Sequence, residues 1–293
     1  MSKRLGSAAI LFPLAAGAHE LGPLHPDDVW RAWSFEPGVL VCLGATALLY
    51  ACGARMSRGV SRTRMFSFWG GMLMLVLALI SPVHALGGVL FSAHMAQHEI
   101  LMLAAAPLLA FAHPLPSFLW ALPIDARRTL GRWAKAAAIR RVWRTLTKPV
   151  HAWWLHAIVL WVWHAPGLFD MTLRSEAIHT AQHLSFFLSA LCFWWALFQA
   201  HTRPEYGHGV FYIFTTAIHT GILGALLTFS PSVVYPVYSH TTQAFGLTPL
   251  EDQQIGGLIM WVPAGVAYMA VGLALFWAWI REPEASVRSD YAD

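Results

Sequence analysis

Seven stretches of mostly apolar residues, separated by polar segments, divide the chain. A helix needs about 20 apolar residues to cross the hydrocarbon core of a bilayer, and the stretches have close to that length. The fourth is shorter and reaches span length only if it extends toward Phe169. The pattern therefore predicts an all-α membrane protein, a seven-transmembrane helix bundle within residues 37–280. The predicted spans are 37–54, 67–86, 89–112, 150–165, 177–199, 209–230 and 254–280.

Residues 1–18 have the pattern of a cleavable signal peptide. Lys3 and Arg4 precede a short apolar run that ends in small residues at positions 16–18. A charged start, an apolar run too short to span and an Ala-x-Ala site are the parts of such a signal. We expect a periplasmic segment over residues 19–36 and a cytoplasmic tail over residues 281–293. The alternative is that the first segment stays attached as an anchor.

The distribution of basic residues predicts the orientation, because cytoplasmic loops are enriched in Lys and Arg. Fifteen of these residues follow the first, third, fifth and seventh spans, whereas the opposite side of the mature chain carries only Arg31 and Arg174. The bundle is thus predicted to be N-outside and C-inside. The basic segment 126–148 is either an interfacial helix on anionic lipid or a set of basic side chains that reach the headgroups.

Composition agrees with a membrane protein. Apolar residues make up 57% of the 293 positions and charged residues 12%, against about 25% charged in soluble domains. Since the basic residues lie on one side of the spans, the net charge of +4 reflects topology and gives no indication of nucleic-acid binding. The three cysteines lie inside spans without a CxxC motif, so neither a disulfide framework nor a thiolate metal site is predicted.

Two His-x-x-Gln-His segments, at residues 94–98 and 179–183, open the third and fifth predicted spans. Histidines four positions apart share one face of a helix, and histidine is the commonest metal ligand. Ionisable residues inside membrane spans usually mark functional sites. Two copies at the same end of two spans make a metal site the leading hypothesis. The candidate ligands are His94, His98, His179 and His183.

An approximate internal repeat brings these motifs together. Residues 67–112 and 150–199 each contain an outward span ending in Pro and His, a short loop, and an inward span that opens with the histidine motif. We expect the two inward spans to be parallel neighbours, with their histidine pairs face to face. His164, at the outer end of the fourth span, is a candidate fifth ligand. Gln97 and Gln182 are candidates to hydrogen-bond the ligating imidazoles or to link helices.

The metal is predicted from the chemistry of the side chains. Imidazole suits copper, zinc, iron and nickel, and thioethers favour Cu(I). Methionines flank the histidine motifs, which favours copper over the alternative, zinc. Histidines that stand alone, such as His219, are interpreted as hydrogen-bonded core residues. The methionines concerned are Met95, Met102, Met171 and Met260.

Five short strings occur in a fixed order along about residues 65–265. They are Ser81-Pro82, His94-Met95-x-x-His98 followed by Pro107-Leu108-Leu109, Trp163-His164-x-Pro166, His179-x-x-x-His183, and Asp252-Gln253-Gln254-x-Gly256-Gly257-x-x-Met260-Trp261. In this order, on a chain with seven predicted spans, they resemble the CtaG-like family of multi-span cytochrome c oxidase assembly factors.

The resemblance implies a bacterial inner-membrane protein, without catalytic turnover, that is needed to make active haem–copper oxidase. The role usually proposed for the family is copper delivery, which implies an oxidase subunit and a periplasmic copper donor as partners, besides membrane lipid. Glu99 departs from the family pattern, in which an apolar residue or Met is expected. By position, Asp252 and Gln253 would support the histidines of the family, which correspond to His94, His98, His164, His179 and His183.

Two other functions stay open on the sequence. Some seven-span membrane hydrolases bind zinc through three histidines beside a carboxylate and a serine, and Ser92 and Asp252 would complete such a site, although the chain has no HExxH motif. Paired histidines on two helices also allow a b-type haem to be ligated. Soret absorption would indicate haem, bound zinc a hydrolase, and bound copper a chaperone.

Overall fold

The computed structural model describes residues 24–57, 59–199 and 202–281. This part of the chain folds into helices without strands, so the predicted all-α class is confirmed. The signal-like segment and all of the predicted tail after Arg281 lie outside the described residues. The α-helices are α1 (Pro37–Met56), α2 (Arg62–Leu79), α3 (Pro82–Gly87), α4 (Phe91–Glu99), α5 (Ala106–Ala112), α6 (Leu115–Ala121), α7 (Ile124–Ala134), α8 (Ala137–Leu146), α9 (Pro149–Trp163), α10 (Pro166–Arg174), α11 (Glu176–Leu197), α12 (Arg203–Thr228) and α13 (Pro249–Arg281).

Helix is present at each of the seven predicted spans. Among the described residues, four helical segments are long and apolar enough to cross a membrane. The other three predicted spans correspond to α2, α9 and α11. The four segments are Pro37–Met56, Phe91–Ala112, Pro204–Thr228 and Pro249–Arg281.

Proline ends two of the predicted spans earlier than the apolar pattern suggests. The second span was expected to continue to residue 86, but the helix stops at Leu79 and Ser81 is extended before Pro82. The fourth stops at Trp163, and Ala165 is extended before Pro166. A residue before proline is pushed out of the helical region by the proline ring. Each proline then begins a short helix, because its fixed φ suits the first helical position.

The same order of elements therefore occurs twice. In each case one helix, a break before proline and a short helix lead to a second long helical segment that carries the histidine motif. The first set is α2, α3 and α4–α5, and the second is α9, α10 and α11. Helix α11 contacts both α5 and the segment that precedes it, so the two helical segments that carry the histidine motifs are neighbours.

A π-helical segment, Ile100–Ala105, joins α4 to α5 one residue beyond the first histidine motif. Such wider turns are rare and occur frequently at functional sites. The indole Nε1 of Trp194 on α11 donates a hydrogen bond of 2.8 Å to the Met102 carbonyl within the segment. Helix α11 thus stabilises the irregular turn between α4 and α5.

Helices α12 and α13 approach each other at two glycines. A Cβ atom at Gly257 would lie 2.7 Å from the backbone nitrogen of Thr228 and 2.8 Å from the Gly224 carbonyl oxygen. Small residues allow such close backbone contact, which drives helix association within a bilayer. The pair fixes the start of α13, which in turn packs against α4.

Aromatic side chains form the core around the histidine-bearing end of the bundle. Phe91, Phe169 and Tyr235 pack against one another with ring centroids 4.4–5.5 Å apart, and the Phe91 and Tyr235 rings are stacked. Large apolar side chains on α1, α12 and α13 are exposed, as expected where helices face lipid. The basic helices α7 and α8 bury none of their residues.

Candidate metal centre

Six imidazoles gather at one end of the bundle, where α2 and α9 end and α4, α11 and α13 begin. Four belong to the two histidine motifs. Of the other two, His84 follows the break at Pro82 and His164 precedes the break at Pro166. His94 and His98 are 0% and 1% exposed, so burial separates them from bulk solvent. The six residues, called the histidine cluster below, are His84, His94, His98, His164, His179 and His183.

The two motif pairs face each other. The ring centroids of His94 and His98 are 4.4 Å apart on α4, and those of His179 and His183 are 4.1 Å apart on α11. Between the helices, the His94 ring lies 5.3 Å from that of His179, and the His98 ring 5.2 Å from that of His183. The structure thus places the four histidines as the internal repeat predicts.

Three of these residues form the tightest group. One ring nitrogen from each of His94, His179 and His183 lies within 4.8 Å of the other two. Two nitrogens bound to one zinc-like ion at about 2.0–2.1 Å each lie up to about 4.2 Å apart, so small side-chain movements would bring the three onto one ion. Among the described residues, this is the group of histidine, cysteine and acidic side chains with metal-binding spacing.

His164 and His84 extend the cluster on two sides. The His164 ring lies 6.3 Å from that of His98, and its Nδ1 is 2.7 Å from the Leu160 carbonyl oxygen. The His84 ring stacks on His179 at 5.6 Å and meets His183 at 6.4 Å. His84 was not among the predicted ligands. The chain reversal after Leu79 brings it to the cluster. The sequence signal was the proline and histidine two positions apart at the end of the span, Pro82 and His84, which the second repeat matches in reverse order with His164 and Pro166.

Hydrogen bonds hold His94 in one orientation. Its Nδ1 lies 3.2 Å from the Gly87 carbonyl oxygen and 3.2 Å from the Tyr238 hydroxyl, which itself donates to the same carbonyl. A carbonyl only accepts, so Nδ1 carries the ring proton and Nε2 has the lone pair that a metal requires. Nε2 faces the side-chain amide of Gln182, whose Oε1 is 3.2 Å away. Tyr238 and Gly87 were not predicted from the sequence.

Gln97 orients the ring of His84. Its side-chain nitrogen donates to the Ala78 carbonyl at 2.7 Å and lies 3.0 Å from Nδ1 of His84. Because an amide N–H only donates, Nδ1 accepts and the ring proton of His84 lies on Nε2, the opposite tautomer to that of His94. Each motif glutamine therefore contacts an imidazole of the cluster. Gln97 contacts His84 in the same half of the repeat, and Gln182 contacts His94 in the other half.

Asp252 and Gln253 act on the backbone instead of on the imidazoles. The buried carboxylate of Asp252 accepts hydrogen bonds from the backbone N–H groups of Phe91 and Ser92, at 2.6 and 3.1 Å, and from the Ser92 hydroxyl. It caps the start of α4, where the orphan N–H groups and the helix dipole favour an anion. Gln253 accepts from the Val234 N–H at 2.6 Å and so fixes the loop that carries Tyr238.

These contacts do not place Ser92 and Asp252 as a zinc-dependent hydrolase would require. The Ser92 hydroxyl and the Asp252 carboxylate hydrogen-bond each other and the α4 backbone, and neither belongs to the metal-spaced group within the described part of the chain. The compact group of imidazoles is a nitrogen donor set. Such a set suits copper and zinc alike.

Several buried ring nitrogens of the cluster lack a hydrogen-bond partner among the described residues. They are both nitrogens of His98, and Nε2 of His164 and of His183. An unsatisfied buried polar group costs about 1–3 kcal/mol. These ring nitrogens therefore destabilise the fold unless a ligand binds them. A neutral imidazole has one N–H and one lone pair. Coordination of a metal ion would satisfy the lone pair of each ring, and the donor set therefore fits a metal.

The fold and the cluster define a helical membrane protein with a buried polyhistidine site. The sequence matches the family model of the cytochrome c oxidase caa3 assembly factor over residues 48–282, which includes every residue of the cluster. The chain belongs to the cytochrome c oxidase caa3 assembly factor family, and the resemblance inferred from the five strings is confirmed.

Similar proteins are known from mycobacteria. The chain is 28% identical over 285 residues to an uncharacterized protein of Mycobacterium bovis and to one of Mycobacterium tuberculosis, over 90% of this chain and 42% of each relative. It is 26% identical over 286 residues to an uncharacterized protein of Mycobacterium leprae, over 92% of this chain and 43% of that relative. The chain thus spans about two-fifths of the length of the curated relatives it matches. No solved structure matches.

Proposed function

We propose that this protein is an assembly factor that binds copper in the histidine cluster and delivers it to a haem–copper oxidase. The observation that carries the proposal is the approach of His94, His179 and His183, whose ligand nitrogens lie within 4.8 Å of one another. Family membership adds the target, because assembly of a cytochrome c oxidase is the function that defines the family. The role is one of transfer, without catalytic turnover.

The number of imidazoles suits an ion that is received and given away. Three nitrogens hold copper firmly, and the neighbouring rings of His98, His164 and His84 offer alternative ligands 4.4–6.4 Å from ring to ring. An ion can then move by exchanging one ligand at a time. A closed four-ligand cage, as in structural zinc sites, would retain it.

Copper is favoured over zinc by the combination of donor set and family. Imidazole binds both ions, and haem–copper oxidases contain copper at their active centre. Within the described residues the metal-spaced group contains imidazoles alone and no carboxylate. Zinc remains the second metal to be tested in every binding experiment.

The proposal includes a membrane arrangement. All seven predicted spans cross a bacterial inner membrane, with residue 19 outside and residue 293 inside, as the distribution of Lys and Arg predicts. The histidine cluster then lies at the outer end of the bundle. A periplasmic donor supplies copper from that side, and an oxidase subunit receives it.

Oxidase maturation in the producing bacterium tests the proposal. We expect His183→Ala to abolish haem–copper oxidase activity in membranes, with normal amounts of the assembly factor itself. Excess copper in the medium should restore part of the activity, because mass action compensates for a weakened site. Zinc should not restore it.

His219→Ala is the matched control. His219 is a partly buried histidine on α12, with its ring 5.2 Å from that of Trp153 and outside the cluster, so its loss should leave oxidase activity unchanged. Normal oxidase activity in a strain with both His98→Ala and His183→Ala would contradict the assembly role of the cluster.

A further inference from the structure

A groove of about 860 Å³ lies between α9, α11 and α12, at the end of the bundle away from the histidine cluster. Its location follows from the direction of α9, which begins at Pro149 beside the groove and ends at Trp163, next to His164 of the cluster. The volume is within the range of about 300–1,000 Å³ that ligand pockets have. None of the six histidines of the cluster lines the groove, so it is a separate candidate site.

The polarity of the lining changes along the groove. Leu197 and Tyr212 are buried and form its floor, whereas Trp154 on α9 and Phe211 on α12 are 57% and 68% exposed and form its walls. Exposed walls of this kind leave the groove open to the lipid that surrounds the bundle. The other end of the groove, where α9 and α12 begin, is polar and is lined by Lys148, His151, Glu205 and His208.

The length of the groove matches one leaflet of a bilayer. Its lining residues on α12 extend from Glu205 to Thr215, and ten residues at about 1.5 Å each correspond to about 15 Å. The hydrocarbon core of a bilayer is about 30 Å thick, so each leaflet contributes about half of that. An acyl chain that starts at the polar end would therefore fill the groove within its own leaflet.

Positive charge lies around the polar end. Lys148 directly precedes α9, and among the described residues no carboxylate forms an ion pair with it. Helix α8, which carries three exposed arginines, ends just before the lining residue Thr147. Its Trp143 ring lies 5.6 Å from that of Trp195 on α11, which holds α8 at this end of the bundle. Basic residues at a membrane surface attract anionic headgroups.

The acidic residue of the lining is engaged by the backbone. The Oε2 atom of Glu205 accepts a hydrogen bond from the Thr202 N–H at 3.0 Å. A Glu at this position of a capping box satisfies an orphan N–H group at the start of its helix. Lys148 is thus the charged residue of the lining that can pair with a phosphate.

We propose that the groove binds one anionic phospholipid, with its phosphate beside Lys148 and an acyl chain between α9 and α12. The chain contacts the walls at Trp154 and Phe211 and the buried floor. In the membrane arrangement proposed above, this lipid belongs to the inner leaflet. Lipid binding is independent of copper binding, because the groove and the histidine cluster lie at opposite ends of α9.

Native mass spectrometry of the purified full chain tests the inference. Delipidated protein in detergent is mixed with phosphatidylglycerol and phosphatidylcholine of identical acyl chains, and the bound copies of each lipid are counted. We expect the wild type to retain one phosphatidylglycerol in preference to phosphatidylcholine. Lys148→Gln should lower this preference about fivefold, the contribution of one basic residue at an anionic surface. Phe211→Ala should weaken the binding of both lipids about threefold, because the acyl chain loses packing contacts with the ring.

Each substitution has a matched control outside the groove. Lys135→Gln removes the same charge at an exposed position just before α8, and Phe214→Ala removes a ring that is 59% exposed on α12. Both variants should bind the two lipids as the wild type does. Equal retention of both lipids by the wild type, or an unchanged preference in Lys148→Gln, would overturn the inference. Displacement of phosphatidylglycerol by inorganic phosphate at the same concentration would also overturn it, because phosphate alone would then be the ligand.

Discussion

The side-chain oxygen of Gln182 lies 3.2 Å from Nε2 of His94, so the glutamine of the second histidine motif contacts the first histidine of the first motif. The other end of the same amide, Nε2 of Gln182, is buried without a hydrogen-bond partner among the described residues. A turn of the amide by about 180° would present this NH₂ group to the imidazole lone pair. The amide of Gln182 therefore lies against the ring nitrogen of His94 that the proposed copper site would use.

Substitution of Gln182 should weaken metal binding without abolishing it. The side chain orients a ligand, and loss of such a partner typically lowers metal affinity about 10–100-fold. We expect Gln182→Ala to keep the wild-type copper stoichiometry at saturation, with a dissociation constant raised within that range in a competition titration. Gln243→Ala, at an exposed position in the loop before α13, should bind copper as the wild type does. Unchanged affinity in Gln182→Ala would show that the amide does not support the site.

The sequence reveals much of the site because its information is local and repeated. A four-residue spacing puts His94 and His98 on one helical face whatever the fold, and the same applies to His179 and His183. The duplicated order of span, proline, histidine and span then brings the faces together. Helix at all seven apolar stretches follows equally from composition, since a lipid-exposed backbone must satisfy its own hydrogen bonds.

The remaining contacts depend on chain reversals that hydrophobic patterns do not encode. His84 enters the cluster because the helix breaks at Ser81. Tyr238 reaches Gly87 from a loop with no periodicity. Asp252 was expected beside the imidazoles, and its string is characteristic of the family, yet the carboxylate caps α4. A sequence pattern identifies such a residue, but only the path of the chain shows its partner.

The close contact between α12 and α13 should be sensitive to a single methyl group. At Gly257 a Cβ atom would meet the Thr228 and Gly224 backbones at 2.7 and 2.8 Å, so Gly257→Ala must force the helices apart. We expect a loss of about 1–3 kcal/mol in the free energy of unfolding, as in overpacked cores, measured by thermal or denaturant unfolding in detergent.

Gly265→Ala provides the control on the same helix. A Cβ atom there has no neighbour within 4 Å, and alanine in a helix interior is more stable than glycine by about 0.5–1 kcal/mol. We expect this variant to be as stable as the wild type or slightly more stable. Equal destabilisation of both variants would contradict the close approach of α12 to α13.

The orientation of the bundle can be measured with reporter fusions. A reporter within residues 230–252 should be active in the periplasm, and one after Asp293 should be active in the cytoplasm, because fifteen Lys and Arg residues lie on the predicted inner side and two on the outer side of the mature chain. Fusions that exchange these two locations would place the histidine cluster at the cytoplasmic end. This result would contradict the proposal that a periplasmic donor supplies the copper.

The ligands of bound copper test the central claim most directly. We expect X-ray absorption at the copper edge, on purified protein loaded with one equivalent of Cu(I), to show nitrogen ligands at about 2.0–2.1 Å with the scattering pattern of imidazole. His183→Ala should lower the number of imidazole ligands or the amount of copper retained, whereas His219→Ala should reproduce the wild-type spectrum. Sulfur ligands at about 2.3 Å, or a spectrum that His183→Ala does not change, would contradict a copper site in the histidine cluster.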